Sequence, residues 1–219
     1  TGEVRSANSL IGDNYGDQIG SVLDITNLSN GNILLRLDSW KGYAGAVRLA
    51  NPSAAITGVV NADTALVGGQ SYDRIGYDYS TGSGITLLSN GNYVVRSPQW
   101  ANGSSYYAGA ATWGSASQGV TGVVSATNSI VGTKQGDNVG LGSNAVFGLS
   151  DGSFILRSPN WNENRGAVTW ASGTSPTAAV ISSLNSLVGA VATSDSVGES
   201  FYNLGNGNFI IHTPKWNNY

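Results

Sequence analysis

Cysteine and methionine are both absent from this 219-residue chain, and it has a single histidine, His212. Without cysteine the chain cannot form disulfides, thiolate metal sites or a cysteine nucleophile. The missing methionine indicates a processed form or a piece of a longer protein. No stretch approaches the roughly 18 consecutive apolar residues of a membrane helix, so we expect no membrane insertion.

Charged residues are also scarce, at 11% of the chain, and the formal net charge is −3. A duplex-binding protein usually presents a basic stripe that displaces counterions, and this sequence has no Lys/Arg cluster. We therefore expect no nucleic-acid partner. Glycine is abundant, with 31 residues, but the 40% hydrophobic content is arranged in short β-branched runs. This arrangement favours a folded β protein over a disordered chain.

A thirteen-residue motif occurs four times in the sequence. Its copies are LSNGNILLRLDSW (28–40), LSNGNYVVRSPQW (88–100), LSDGSFILRSPNW (149–161) and LGNGNFIIHTPKW (204–216). Three further motifs recur in phase with it. They are represented by TGVVSATNSIVG (121–132), GDNVG (136–140) and GAVTW (166–170). The chain is therefore an internal repeat, and repeat architectures are the first to consider.

Each unit contains four short candidate strands. The first two flank an Asn-Gly or Asp-Gly turn, and the third and fourth are the GAVTW and TGVVSA segments. Such turns favour a two-residue hairpin with the glycine at positive φ. Four short strands repeated at this length are typical of β-propeller blades. The sequence thus predicts an all-β fold, a β-propeller-like array of about four four-stranded antiparallel blades, with the chain ends joined in one composite blade. The approximate units are 8–62, 63–126, 127–183, and 184–219 plus 1–7.

Other arrangements of the same units stay open. They are an open array, a larger propeller formed by dimerisation, and a β-solenoid, although solenoid coils are usually shorter and lack two-residue hairpins. A homo-oligomer is therefore among the expected forms of the protein.

The strings LSNGNYVVRSPQW (88–100), GAATWG (109–114) and GVTGVVSATNSIVG (119–132) resemble repeats of large secreted bacterial adhesins of the filamentous-haemagglutinin type. The resemblance covers nearly the whole chain. The first unit departs most, because Leu37-Asp38-Ser39 stands where other units have a Ser-Pro or Thr-Pro pair. The resemblance implies an extracellular binding or scaffolding module, on a secreted or cell-surface protein, and identifies no ligand.

Nothing in the sequence resembles a catalytic, cofactor or phosphate-binding motif, so we expect no enzyme, no cofactor and no metal. His212 occupies the slot held elsewhere by Arg36, Arg96 and Arg157, which we expect to be partly buried and paired with acids or carbonyls. One acid recurs in each unit and has two interpretations: a Ca²⁺ ligand, or a side chain that caps its own turn. We favour capping because single acids in separate units cannot surround one ion. These acids are Asp17, Asp73, Asp137 and Asp195.

The candidate ligand site combines a repeated tryptophan with two inserted loops of the second unit. An indole can stack on the apolar face of a sugar ring, and Tyr-rich loops on a rigid scaffold suit recognition. Packing tryptophans and tolerated insertions are the structural alternatives. The candidate residues are Tyr77, Asp78, Tyr79, Trp100, Asn102, Tyr106 and Tyr107, with Trp40, Trp161 and Trp216 in the sister units.

The sequence as a whole predicts a non-enzymatic binding module whose partner is a glycan or another host or cell-surface ligand. Two other functions stay open. One is a structural spacer or self-assembly repeat, and the other is a glycan-acting enzyme.

Overall fold

A computed structural model describes residues 2–20, 23–190, 195–205 and 208–216, with only the backbone described at Leu23. The protein is an all-β repeat, with 35% strand and 4% helix. This confirms the expectation of short strands and almost no helix, because alternating apolar residues and glycine turns dominate the sequence.

The strands follow one another in chain order with short connections. The first are β1 (Leu10–Gly12), β2 (Leu23–Asn27), β3 (Ile33–Leu37), β4 (Ala46–Ala50), β5 (Gly58–Val60) and β6 (Leu66–Val67). Next come β7 (Ile85–Leu87), β8 (Tyr93–Ser97), β9 (Ala110–Gly114), β10 (Gly122–Val123) and β11 (Ile130–Val131). The last are β12 (Val146–Gly148), β13 (Phe154–Ser158), β14 (Ala167–Ala171), β15 (Ala179–Val180), β16 (Ser186–Val188), β17 (Ser200–Asn203) and β18 (Phe209–His212).

Two short helical turns, α1 (Trp40–Tyr43) and α2 (Trp161–Asn164), follow the second strands of the first and third units. Both contain residues with left-handed φ, such as Lys41 (49°) and Asn162 (50°), so neither is a regular helix.

The predicted hairpins and third strands are all present in the first three units. The sheets run β10-β6-β4-β3-β2, β15-β11-β9-β8-β7 and β12-β13-β14-β16, and two-stranded pairs join β1 with β5 and β17 with β18. The predicted fourth strand needs correction. Each motif of the TGVVSATNSIVG type contains two strands, a TGVV strand at its beginning and an LVG (or IVG) strand at its end. The LVG strand, and not the TGVV strand, pairs antiparallel with the third strand, as Val67 does with Ala46.

The TGVV strands instead pair in parallel with the LVG strand that ends the preceding sheet. From here on a unit is counted by its sheet, from the residue after one LVG strand to the end of the next LVG strand, which gives about 13–68, 69–132 and 133–189 for the first three units. β5 pairs with β1, β10 with β6, and β15 with β11. Backbone hydrogen bonds continue this contact, since Val124 donates to the Val67 carbonyl at 3.0 Å. An apolar residue at the end of each TGVV-type segment is buried at this contact: Val60, Val124 and Ile181 are 0%, 3% and 2% exposed. Successive units are therefore linked through their backbones.

The composite blade that would join the chain ends is not found among the described residues. Residues 2–7 contain no strand, and Val4 is 75% exposed. Among the described residues, no LVG strand lies beside residues 2–4, so they lack the parallel partner that the other TGVV segments have. All strand pairings of the described residues join segments within a unit or between successive units. The number of blades in any closed ring stays a prediction.

The core lies between consecutive sheets, and strand β8 shows how the sequence produces it. Side chains along a strand point alternately to opposite faces. Tyr93 and Val95 therefore pack with Leu34 and Val47 of the first sheet, while Val94 packs toward the third sheet. Because both faces are covered, every residue of β8 is buried. This explains why the second strands read as continuous apolar runs.

The turn glycines Gly31, Gly91 and Gly152 have φ of 87°, 86° and 88°, which confirms the predicted positive φ. The fourth, Gly207, lies outside the described residues. The loop itself has three residues rather than two, because the Leu28 amide donates to the Asn32 carbonyl and the Gly31 amide to the Leu28 carbonyl. This is the pattern of a turn followed by a left-handed glycine.

Candidate functional site

The repeated arginine joins one unit to the next. Its guanidinium donates to the glycine carbonyl that ends the following Asp-x-x-Gly turn. Arg96 Nη1 lies 2.9 Å from the Gly140 carbonyl, and Arg157 Nε lies 2.6 Å from that of Gly198. Arg36 also pairs with Asp38 at 2.6 Å. The three arginines are buried or half-buried and fully engaged, which confirms the expected structural role.

The repeated acid caps its own turn, as the capping interpretation predicts. One oxygen of Asp73 accepts the Gly69 and Gln70 amides, both at 2.9 Å, and the other accepts the Ala101 amide at 3.0 Å. Burial raises the pKa of Asp73, and these three amides only partly offset that effect. Asp137 makes the same contacts with residues of its own unit. In the described part of the chain, no three His, Cys, Asp or Glu side chains are grouped to hold a metal ion.

The repeated tryptophans lie in two different environments. Trp40, Trp100 and Trp161 are only 2%, 5% and 9% exposed, and each belongs to a core cluster between sheets. The structure therefore corrects the stacking interpretation for these three indoles, because neighbouring side chains already cover their faces. Trp216, in the last unit, is 55% exposed.

Asp78 is placed in the protein interior, and this also differs from the predicted ligand contact. It is fully buried, and its carboxylate lies 2.6 Å from Arg96 Nη1 and 2.9 Å from the Gly142 amide. Burial acts to raise the pKa of Asp78, but hydrogen bonds from Ser80, Arg96 and Gly142 outweigh it, so the pKa lies below its ordinary value. The carboxylate is thus a structural partner of Arg96 and is not free to bind a sugar hydroxyl.

The two inserted loops of the second unit, residues 76–83 and 101–107, leave the same end of their sheet. Strand β7 begins where β8 ends, and the Gly76 amide donates to Ser97 Oγ at 3.2 Å across the two loop bases. Tyr79, Tyr106 and Tyr107 are 51%, 59% and 46% exposed. These three tyrosines are the part of the predicted site that is open to solvent.

Two other members of the predicted site are half-buried. Asn102 donates to the Gly132 carbonyl at 3.1 Å, so its amide supports the neighbouring loop. The ring of Tyr77 faces two arginines, with Arg36 and Arg74 at 5.5 and 5.3 Å from its centroid. Among the described residues, no aromatic pair links the loop containing Tyr77 and Tyr79 to the one containing Tyr106 and Tyr107.

A second aromatic group at the same end of the sheets escaped the sequence analysis. Tyr43 of the first unit and Tyr72 of the second stack with centroids 5.6 Å apart and an interplanar angle of 12°. Arg74 lies over Tyr43 at 5.2 Å as well as over Tyr77. We call Tyr43, Tyr72, Arg74 and Tyr77 the Tyr–Arg surface. One signal could have found it: Tyr72 stands where the first and third units have Gly16 and Gly136.

A cavity of about 230 Å³ lies beside Arg157 and is lined by residues such as Leu141, Asn144 and Pro159. The arginine donors there already bond to the carbonyls of Asn144, Gly198 and Glu199. The cavity lining therefore offers no acid–base pair for catalysis.

No helix in the described part of the chain has the length and apolar character needed to cross a membrane. A search of curated proteins finds no match to the sequence. A family model described as a repeat of unknown function, DUF5650, matches residues 1–21, 27–77, 87–141, 148–199 and 203–219. The match supports the repeat architecture, and nothing in it links the chain to haemagglutinin-type adhesins. Because the matched segments cover most of the sequence, the chain belongs to the DUF5650 repeat family.

Proposed function

We propose that this chain is a non-enzymatic glycan-binding module of a secreted or cell-surface bacterial protein, built as an open, blade-like repeat array. The observation that carries the proposal is the distribution of exposed tyrosines. Those of the first two units are concentrated in the loops at one end of the sheets. They are Tyr15, Tyr43, Tyr72, Tyr79, Tyr106 and Tyr107.

Apart from the stacked pair Tyr43 and Tyr72, the described contacts between units do not involve these side chains. The contacts between units come from the parallel TGVV strands, the repeated arginine and the hairpin asparagines, such as Asn90, which donates to the Gly173 carbonyl at 2.7 Å. Exposed tyrosines on a rigid frame offer large contact area at low entropic cost, which suits recognition.

A glycan array followed by titration tests this function. We expect the double variant Tyr79→Ala/Tyr106→Ala to bind the identified glycan at least tenfold more weakly. Each lost ring removes about 1 kcal/mol of stacking, and about 1.4 kcal/mol corresponds to a factor of ten. The matched control is Tyr202→Ala, since Tyr202 is 55% exposed in the last unit. Unchanged affinity of the double variant would exclude these loops, and measurable hydrolysis of the glycan would favour an enzyme.

A structural spacer or self-assembly repeat is the second candidate, and two exposed apolar residues favour it. Val4 is 75% exposed, whereas its equivalent Val124 is 3% exposed. Leu187 of β16 is 56% exposed, whereas its equivalent Ile130, covered by a following TGVV-type strand, is 1% exposed. A second copy could pair its residues 2–4 with the outer edge of β16, as strand addition does elsewhere.

Sedimentation velocity over a range of concentrations tests the self-assembly candidate. We expect head-to-tail species to grow with concentration in the wild type and to disappear in Leu187→Asp, which places a charge in the proposed contact. Leu184→Asp is the control, since Leu184 is 96% exposed outside the strand. A wild type that stays monomeric at all concentrations would contradict this candidate.

A further inference from the structure

The Tyr–Arg surface lies at the junction of the first two units and is open to solvent. Tyr43 and Tyr72 are 39% and 63% exposed, and their rings are nearly parallel. The guanidinium of Arg74 lies between Tyr43 and Tyr77, about 5 Å from each centroid. A cation held over aromatic faces keeps a defined position, because the rings attract it and limit its rotation.

The backbone at Tyr72 shows that the fold does not require a tyrosine there. Its φ is 69°, and the equivalent Gly16 and Gly136 have φ of 88° and 82°. A left-handed backbone is disfavoured for residues with a Cβ and suits glycine. A bulky residue kept in such a conformation is a reason to look for a function. The second unit thus holds an exposed ring at a position where two sister units have glycine.

Arg74 adds a positive charge that the sister units lack. Its equivalents are Gln18, Asn138 and Ser196. Among the described residues, no carboxylate forms an ion pair with Arg74, whereas the nearby Arg36 pairs with Asp24 and Asp38. The surface therefore combines exposed rings with a cation whose charge is not balanced by a paired acid. The planar guanidinium of Arg74 can donate two parallel hydrogen bonds to a carboxylate of a bound ligand.

We propose that the Tyr–Arg surface binds an acidic saccharide, a sugar ring that carries a carboxylate. The apolar C–H face of the sugar stacks on Tyr72, and the carboxylate accepts hydrogen bonds from Arg74. This inference rests on the proposed glycan-binding function. It adds the ligand class and places the contact at the first junction, in addition to the second-unit loops.

The test is a calorimetric titration of the whole chain with oligogalacturonate and with the same oligosaccharide after its carboxyl groups are reduced to alcohols. The wild type is expected to bind the acidic form at least tenfold more tightly than the reduced one, and more weakly as salt is raised. Tyr72→Gly and Arg74→Gln are each expected to lose at least tenfold in affinity for the acidic form. A sulfated oligosaccharide of similar length shows whether the site recognises carboxylate or anionic sugars in general.

Tyr72→Gly separates binding from folding. Since glycine is the natural residue at the equivalent position of two sister units, its unfolding midpoint is expected to equal or exceed that of the wild type. Lys134→Gln is the charge-matched control, because it removes one positive charge at the next junction. It should bind like the wild type.

A gain of binding gives an independent check at the second junction, where Tyr107 already stands in the place of Tyr43. The variant Gly136→Tyr/Asn138→Arg should raise the number of bound oligogalacturonate molecules per chain. Wild-type affinity in both Tyr72→Gly and Arg74→Gln would overturn the inference. If these variants bind normally while Tyr79→Ala/Tyr106→Ala loses affinity, the glycan-binding function stands and this site does not. Binding of no saccharide by the wild type would overturn both.

Discussion

Gly109→Ala is expected to lower the free energy of unfolding by about 2–5 kcal/mol, the sum of left-handed strain and overpacking. Gly109 has φ of 75°, and its Cα faces the backbone of Val139 in the next unit. A Cβ at this position would overlap the Val139 amide and carbonyl. The substitution therefore forces two units apart at the point where their backbones run in parallel.

Gly82→Ala is the matched control for this effect. Gly82 has nearly the same φ, 76°, but no atom lies within 4 Å of the position of its added Cβ. It should lose only the conformational part, about 1–2 kcal/mol. Denaturant unfolding of the two variants and the wild type measures the difference. Equal losses in the two variants would contradict the close approach of neighbouring units.

Arg96→Gln is expected to cost about 3–5 kcal/mol, the typical result of leaving one charge of a buried pair without its partner. The substitution leaves Asp78, which is fully buried, without the guanidinium. It also removes donors from the Gly140 and Gly142 carbonyls of the next unit. Lys134→Gln is the surface control. Its ion pair with Glu163 is exposed, and such pairs contribute about 0–1 kcal/mol. A loss as small as that of the control would contradict a structural role for Arg96.

The same pair predicts how stability depends on pH. Because the folded-state pKa of Asp78 is depressed, its stabilising contribution is present above the ordinary carboxyl pKa of about 3.9 and is lost as pH falls below it. The stability difference between wild type and Asp78→Asn should therefore narrow as pH falls below about 4. Denaturant midpoints at several pH values measure it. A difference that widens at low pH would contradict the assigned direction.

The sequence predicts the hairpins and third strands because their signals are local. An alternating apolar run on each side of an Asn-Gly turn specifies a hairpin. The same pattern occurs in all four repeats, which strengthens the prediction. The buried arginine could also be predicted, since a charge inside a strand of a charge-poor protein needs a partner. The role of Arg96 follows from this reasoning.

The fourth strand could not be assigned in the same way. TGVVSATNSIVG contains two short β-forming segments, and neither has a local feature that selects its partner. The choice depends on contacts between units: Ile130 pairs with Ala111 of the third strand, while Val123 pairs with Val67 of the preceding unit. Partners this distant in sequence are decided by packing rather than by propensity.

The candidate site was partly predictable. Loop insertions correctly indicated exposed tyrosines such as Tyr79 and Tyr106, because inserted loops lie on the surface. The sequence could not show that Trp100 faces the core or that Asp78 turns inward to Arg96, since both depend on the neighbouring sheet. The Tyr–Arg surface joins Tyr43 and Tyr72 from different units, and only their stacked positions bring them together.

Hydrogen–deuterium exchange of the TGVV-type segments tests most directly whether units are joined by parallel strands. The account predicts slow exchange at residues 122–124 and 179–181, where Gly122 donates to the Ala62 carbonyl and Ile181 to that of Val131. Residues 2–4 provide the internal comparison, because they are exposed and should exchange quickly. Exchange at 122–124 as fast as at 2–4 would contradict the array.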